Sequence, residues 1–453
     1  MGSAARYRQA VGAGRFKVGL WAGTLGVVLA DSSVVTLALP DILREFDATV
    51  FGVSWVLTAF NLVLAVAILP AARLAQRMPS RTWAVGLAVF SASSLACAVA
   101  PSIAVLLAAR CVQALGGAAV IAAAIELLAR AFGSHAAAAP RWGAAGLAGL
   151  ALGPALGGLL TDLLSWQSIF VIQVPVVLAV VASRGPADLP EPGSDARIDP
   201  RPEVALALLS AGLTGALFLL VVLLTEGWLY SPLAAAAVVS AIPVATLAAR
   251  GLERRLGDDR PVIAAGAVCM AGGLGALGLL PGAGAGWTLA PQALVGAGIA
   301  LALPGLTSRA LAGRDPVGRR AAATIAARHA GIVLGILALT PVLSSQLEAQ
   351  HDAARLSGTS LLLDAPLDPD TKVELGDAIG VTVASEGGRL PDLSAVFDDV
   401  EPLAEESVAY ASLEDALVSE VDSAATHAFS LPFLLAGALA ALALVPICLG
   451  ARR

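Results

Sequence analysis

Charge is what this 453-residue chain has least of: Asp, Glu, Lys and Arg make up 14% of it, against 57% apolar residues and a mean hydropathy of +0.82. A soluble chain of this length carries far more charge, so an ordinary soluble class is excluded. Lysine occurs only at Lys17 and Lys372, a bias towards arginine that fits a GC-rich bacterial genome. Cysteine is scarce too. Cys97, Cys111, Cys269 and Cys448 all lie in apolar runs, and no C-x-x-C or Cys/His grouping exists. That excludes a disulfide framework and a Cys/His metal site, and leaves small core residues. A phosphate-binding glycine loop, G-x-S-x-G and H-E-x-x-H are all missing, and no polar segment is long enough for a nucleotide-binding domain. An ATP-driven pump and the hydrolases those motifs mark are therefore excluded, and neither an enzyme nor a nucleic-acid partner is expected.

What is present is a succession of apolar runs, each long enough to cross roughly 30 Å of hydrocarbon as a helix. Twelve spans are predicted, at 18–40, 51–72, 83–100, 103–128, 143–163, 167–183, 203–225, 231–249, 262–281, 286–308, 325–345 and 428–450. The basic stretch before the first run, with Arg6, Arg8, Arg15 and Lys17, reads as the flank of a membrane helix and not of a cleaved signal. The polar, Pro-rich segment 184–202 separates six spans from six. The expected organisation is an N-terminal bundle at 1–183, a cytoplasmic linker at 184–202 and a C-terminal bundle at 203–453. With both termini in the cytoplasm, every predicted cytoplasmic loop carries arginine, as the positive-inside rule requires. A multi-pass, monomeric protein of a bacterial cell membrane is the expectation.

The acidic balance comes from one place. Residues 346–425, predicted to lie outside between the last two spans, hold 18 acidic residues against Arg355, Lys372 and Arg389. Leu413, Leu417 and Val421 recur every four residues there, one face of a helix. A small helical cap continuing the flanking spans is predicted, and it is the one surface expected to meet an extracytoplasmic partner.

Several acidic or basic side chains interrupt or end the apolar runs in ways that need explaining. Asp31 lies in VVLADSSVVTLALP, about 15 Å from the outer end of the first span, and Arg110 lies about 14 Å from the outer start of the fourth. Opposite charges at matching depth, each costly alone, are expected to face a shared central cavity and to set each other's protonation. Glu126, near the cytoplasmic end of the fourth span, has Arg130 one turn on and reads as a solvated surface pair. Asn61, Gln113 and Gln173 are candidate cavity-lining groups. Arg328 and His329, at the start of span eleven, and Glu226 and Trp228, at the end of span seven, read as interfacial anchors.

Four stretches carry a family resemblance. GLALGPALGG has the spacing G-x-x-x-G-P-x-x-G-G at Gly149, Gly153, Pro154, Gly157 and Gly158; glycines four apart allow close helix approach, and the proline opens a backbone hydrogen bond. DSSVVTLALP follows Asp31, LLAARCVQALGGAA carries Arg110 and Gln113, and SWQSIFVIQVPV carries Trp166, Phe170 and Gln173. Together these resemble the drug:proton antiporter branch of the major facilitator superfamily. The resemblance implies an all-α membrane protein of two six-helix bundles, to which the residue pattern of 346–425 adds a helical insert between helices 11 and 12. It implies export of small amphipathic or cationic organic molecules by alternating access, driven by a proton gradient without other cofactors. It also implies Asp31 and Arg110 as the proton-coupling pair and the span-five glycines and Pro154 as the conformational hinge. Arg77 and Arg81 match the family's cytoplasmic gate, but in ARLAQRMPSR the usual acid is replaced by Gln76. Two further readings stay open from the sequence: export of a lipid or cell-envelope precursor, and a membrane sensor or scaffold that transports nothing.

Overall fold

The structure is a computed structural model. It describes residues 2–132, 135–174, 200–257, 259–311, 317–385, 393, 396–397, 400 and 407–449. These are helical, with no strand among the described residues. The first half contains α1 (Gly2–Thr36), α2 (Leu39–Glu45), α3 (Val50–Arg77), α4 (Pro79–Ala98), α5 (Ile103–Phe132), α6 (His135–Leu163) and the short α7 (Ser168–Val171). The second contains α8 (Arg201–Val222, continued by one π turn to Gly227), α9 (Pro232–Val239), α10 (Ala241–Leu256), α11 (Arg260–Ala276) and α12 (Ala285–Leu311). It ends with α13 (Val317–Asp364), α14 (Pro369–Ser385), α15 (Ser407–Leu442) and α16 (Leu444–Cys448).

Among the described residues, nine stretches are long and apolar enough to cross a membrane. Helices α4 and α6 also stand where spans three and five are predicted. The sixth predicted span and the linker 184–202 lie largely outside the described residues.

Glycine determines how the helices pair. Gly149, Gly153 and Gly157 form one stripe on α6, and a Cβ on each would strike α1, at the Gly26 carbonyl, the Ser33 hydroxyl and the Val34 carbonyl respectively. The second half repeats the device: on α13, Gly331 and Gly335 lie against the carbonyls of Ala207 and Ala211 on α8. Gly86 on α4 meets Gly116 on α5, and Gly266 on α11 meets Gly298 on α12 in the same way. Two halves built by matching contacts are the internal repeat expected of many secondary transporters. Gly158 faces elsewhere, against Pro232 and Ala236 of α9, so it joins the first half to the second.

The predicted span 325–345 is the middle of a 48-residue helix, α13. At 1.5 Å per residue it is about 72 Å long, more than twice the hydrocarbon thickness. Together with α15, of 36 residues, it carries the segment 346–425. Leu367, Leu375, Phe397, Tyr410, Leu413 and Leu417 form a core of their own there. The Tyr410 hydroxyl donates to the carbonyls of Phe397 (3.0 Å) and Val400 (2.8 Å). The predicted face at Leu413 and Leu417 is buried in this core, with Val421 packed beside it.

Gly149→Ala and Gly335→Ala each place a methyl group against a neighbouring backbone carbonyl, and each is expected to cost about 1–3 kcal/mol as an overpacked core position does. Gly143→Ala, on the same α6 but with open space around it, is expected to leave stability unchanged or slightly raised. Thermal unfolding of the three variants in detergent checks this.

Candidate functional site

The residues singled out in the first half converge. Asp31 on α1 and Arg110 on α5 are both shut off from solvent, and Asp31 Oδ2 accepts from Arg110 Nη1 at 2.7 Å. Gln113 lies one turn beyond Arg110 on α5. Its Oε1 accepts from Arg110 Nη1 at 2.6 Å, and its Nε2 approaches Asp31 Oδ1 at 3.5 Å. Gln173 closes the ring, its Nε2 donating to Asp31 Oδ1 at 3.1 Å. Ser94 on α4 accepts from Gln113 Nε2 at 2.8 Å. Arg110 Nε donates to the Val56 carbonyl at 3.3 Å, while Nη2 has no hydrogen-bond partner among the described residues. Aromatic faces compensate in part: the guanidinium carbon sits 4.1 Å from the centre of the Phe60 ring and 5.6 Å from that of Phe170. Three of the four resemblance stretches thus meet in one buried polar ring.

That ring does not line the central cavity. The cavity lies between the halves, about 110 Å³ in volume, several times the roughly 10–15 Å³ that one water needs. Its wall takes Ser32, Ser33 and Thr36 from α1 and Pro154 from α6, and from the second half Leu213, Thr246, Ile299, Arg328 and His329. Asp31 precedes Ser32 and points about 100° round α1 from it, towards Arg110 and Gln173. The expectation that Asp31, Arg110, Asn61, Gln113 and Gln173 face the cavity therefore differs from their placement. The physical reason is mutual satisfaction: Asp31, Arg110, Gln113 and Gln173 hydrogen-bond one another inside the first half, which is the cheapest place for a buried polar group.

Asn61 belongs to a different contact. Its Nδ2 donates to the Leu57 carbonyl at 2.8 Å, which turns Oδ1 towards His329 Nδ1, 2.6 Å away. This hydrogen bond joins α3 to α13 across the two halves. Ser32 Oγ also approaches Asn61 Oδ1, at 3.4 Å. Arg328 and His329 are consequently not headgroup anchors. The helix starts at Val317, eight residues before the predicted span, and so carries both about 16 Å further in than its own first turn.

Contacts between the halves lie at both ends of the cavity. At the end assigned to the outside by loop charge, Arg44 Nη2 binds Glu226 Oε1 at 2.7 Å and Arg44 Nη1 reaches Asp41 Oδ1 at 3.3 Å. Burial lifts the Asp41 carboxyl above the usual carboxylate range, and Arg44 partly offsets this. The Trp166 indole donates to Glu45, tying α2 to the end of α6. Glu226 and Trp228, read from sequence as interfacial anchors, are occupied internally: Glu226 by Arg44, and Trp228 by Thr426 Oγ1, to which its indole donates at 3.1 Å. At the opposite end Glu126 is buried, not solvated, and its carboxylate lies over Gly318 in the first turn of α13, with Gln76 alongside. A carboxylate is favoured at a helix N-terminus. Arg77 and Arg81, at the turn between α3 and α4, are both exposed.

Ser94, Arg328, His329 and the Arg44–Glu226 pair are functional candidates that sequence reasoning missed or misplaced. The cluster SASS at 91–94 was a visible signal, four small polar or small residues inside an apolar run.

Comparison with known proteins follows the same lines. The family model described as Major Facilitator Superfamily matches residues 20–340. Multidrug resistance protein Stp of Mycobacterium tuberculosis (strain CDC 1551 / Oshkosh) is 41% identical over 156 residues, 34% of this chain and 29% of that protein. Drug efflux pump JefA of the same strain is 34% identical over 154 residues, 33% of this chain and 30% of its own length. Methylenomycin A resistance protein of Bacillus subtilis (strain 168) is 35% identical over 181 residues, 39% of each chain. The chain thus spans between 29% and 39% of the length of these curated relatives. The crystal structure of a bacterial homologue of the human lysosomal transporter Spinster, inward-facing and unoccupied, superposes with a TM-score of 0.62 at 14% identity. The match covers 96% of this chain and 98% of that one, a likeness of fold.

Removing only Arg110 strands a buried carboxylate, so Arg110→Met is expected to cost about 3–5 kcal/mol. Asp31→Asn combined with Arg110→Met is expected to recover much of that loss. A double-mutant cycle on unfolding in detergent measures the coupling, and purely additive losses would contradict it.

Proposed function

This chain belongs to the Major Facilitator Superfamily, and from that premise we propose that it is a proton-coupled exporter of small amphipathic organic molecules. It works by alternating access between an N-terminal bundle, residues 1–183, and a C-terminal bundle, residues 203–453, joined by the cytoplasmic linker 184–202. The relatives' names, multidrug resistance protein and drug efflux pump among them, support export of drug-like compounds. The observation that carries the reading is the adjacency of two sites: an apolar cavity with a few hydroxyls in its wall, and a sealed ionisable ring one residue behind that wall.

Coupling follows from this adjacency. A carboxylate held by Arg110 and two glutamines is stabilised in its charged form by its partners and destabilised by burial. Adding a proton to Asp31 removes the charge that holds Arg110, and the ring loses its reason to stay closed. Successive residues are about 100° apart on a helix, so a partial rotation of α1 with local unwinding brings Asp31 towards the wall beside Ser32. The α1–α6 glycine contact, with backbones in direct touch, transmits that rotation into α6 and, through Gly158, to α9. Access alternates as the outer set of contacts, Arg44–Glu226 and Gly158 on α9, and the inner contact of Glu126 on α13 break in turn. Glu126 here does what the missing acid at Gln76 does in the family pattern; Arg77 and Arg81 flank it as the remaining gate residues.

Asp31→Asn is expected to abolish dye accumulation driven by an imposed pH gradient in inside-out vesicles, while leaving downhill exchange of the same dye. A panel of neutral, anionic and cationic fluorescent dyes serves as substrate. Full retention of the gradient response by Asp31→Asn would remove Asp31 from the coupling role.

A further inference from the structure

Among the described residues the cavity wall carries one formal charge, and it is positive. Arg328 projects from α13 into the wall, and no aspartate or glutamate shares it. Three of the wall's hydroxyls are committed to their own backbones: Ser33 to the Ala30 carbonyl at 2.8 Å, Thr36 to that of Ser32 at 2.7 Å, and Thr246 to that of Ile242 at 2.9 Å. His329 is held by Asn61. Since Asn61 offers its oxygen, His329 Nδ1 is the donor of that bond, which fixes the ring beside Arg328.

Arg328 itself makes no hydrogen bond or ion pair among the described residues, in contrast to Arg44, paired with Asp41 and Glu226, and Arg110, paired with Asp31. The nearest acid of the first half along the wall, Asp31, is turned away and saturated by Arg110, Gln113 and Gln173. A guanidinium stays charged at any physiological pH. Placed inside a membrane protein without a counter-charge it is expensive, and such residues mark the path of what the protein handles. Glu126, over the first turn of α13, and Glu203, which the register of Gly331 on Ala207 and Gly335 on Ala211 sets level with the turn just before Arg328, are buried but do not line the cavity.

We propose that the cavity takes an amphipathic organic anion, with a carboxylate, sulfonate or acidic phenol as its head, and that Arg328 is its counter-charge. The assignment rests on the reading of this cavity as the transport site. The planar guanidinium presents two parallel N–H groups to such a head. The apolar body lies against Leu29, Leu213, Met270, Ile299 and Ile332, which form the rest of the wall. The ligand itself completes the ion pair that the protein leaves open, so a cation of the same shape meets a like charge with no acid to offset it. This departs from the cationic alternative that the sequence leaves open.

The test uses the purified full chain in detergent and two probes of matched shape, 2-naphthalenesulfonate and 2-naphthyltrimethylammonium, with binding followed by calorimetry. The sulfonate is expected to bind at least about tenfold more tightly, the usual weight of one charge-assisted hydrogen bond. Arg328→Gln is expected to erase that preference and Arg328→Lys to keep most of it. Equal affinities, a preference for the ammonium, no binding of the sulfonate, or a preference that survives in Arg328→Gln would each overturn the assignment. If Arg328→Gln does not purify as a single species, the wild-type preference and Arg328→Lys decide. Reconstituted vesicles separate this proposal from the one beneath it. Sulfonate binding without gradient-driven flux removes the export reading and leaves the anion site standing. Gradient-driven flux of the ammonium with no preference for the sulfonate does the reverse.

Discussion

A carboxylate and a guanidinium, 2.7 Å apart and both closed to solvent, constrain the whole first half of this molecule. Neither charge is tolerable alone in an apolar interior, and each fixes the position of the other. Asp31 sits on α1, Arg110 on α5, Ser94 on α4, Gln173 beyond α7, and Val56 on α3 accepts from the guanidinium. The ring therefore ties five segments to one point. Their polar groups must find partners there because the surrounding side chains, Phe60 and Phe170 among them, offer ring faces but no hydrogen-bond acceptors. A change of charge at that point is felt by all five segments together, whereas a change at a peripheral residue would be felt by one.

The second constraint is steric. Where glycine meets backbone, helices lie so close that neither can slide without carrying the other. The first half uses this between α1 and α6 and between α4 and α5, and the second half repeats it between α8 and α13 and between α11 and α12. Repeating the same contacts gives two units of similar stiffness. The cavity then opens where the repeats do not touch, and its lining is correspondingly soft: leucine, isoleucine and hydroxyl groups, with a single arginine.

Much of this was legible in the residues, and the failures have specific causes. Helix positions followed from apolar runs because hydrocarbon thickness sets their length. The pairing of Asp31 with Arg110 followed from equal depth, since two opposite charges at one level have no better partner. What depth cannot supply is azimuth. Counting residues says how far Asp31 lies from a helix end, but not which way it points, so its place behind the wall could not be read. Arg328 was misplaced for a related reason: the apolar run begins at 325 while the helix begins at Val317, the intervening GRRAAAT being helical without being apolar. Glu126 looked solvated because Arg130 offered a local partner, yet a partner distant in sequence, the first turn of α13, took precedence. Gln113 and Gln173 were recognisable as unusual in an apolar run; that they would serve Asp31 and not a ligand depended on tertiary contacts.

Helix α13 runs from beneath Glu126, past Arg328 and the interior Pro341, to the small core that includes Tyr410. From Arg328 to Asp364 it extends about 54 Å. If the helix moves as one body, a tilt of about 10° at the cavity would sweep its far tip through roughly 9 Å, given the helical rise. A change of tilt at the cavity would therefore move the core around Tyr410, in the segment with 18 acidic residues against three basic ones, much further than it moves the cavity wall.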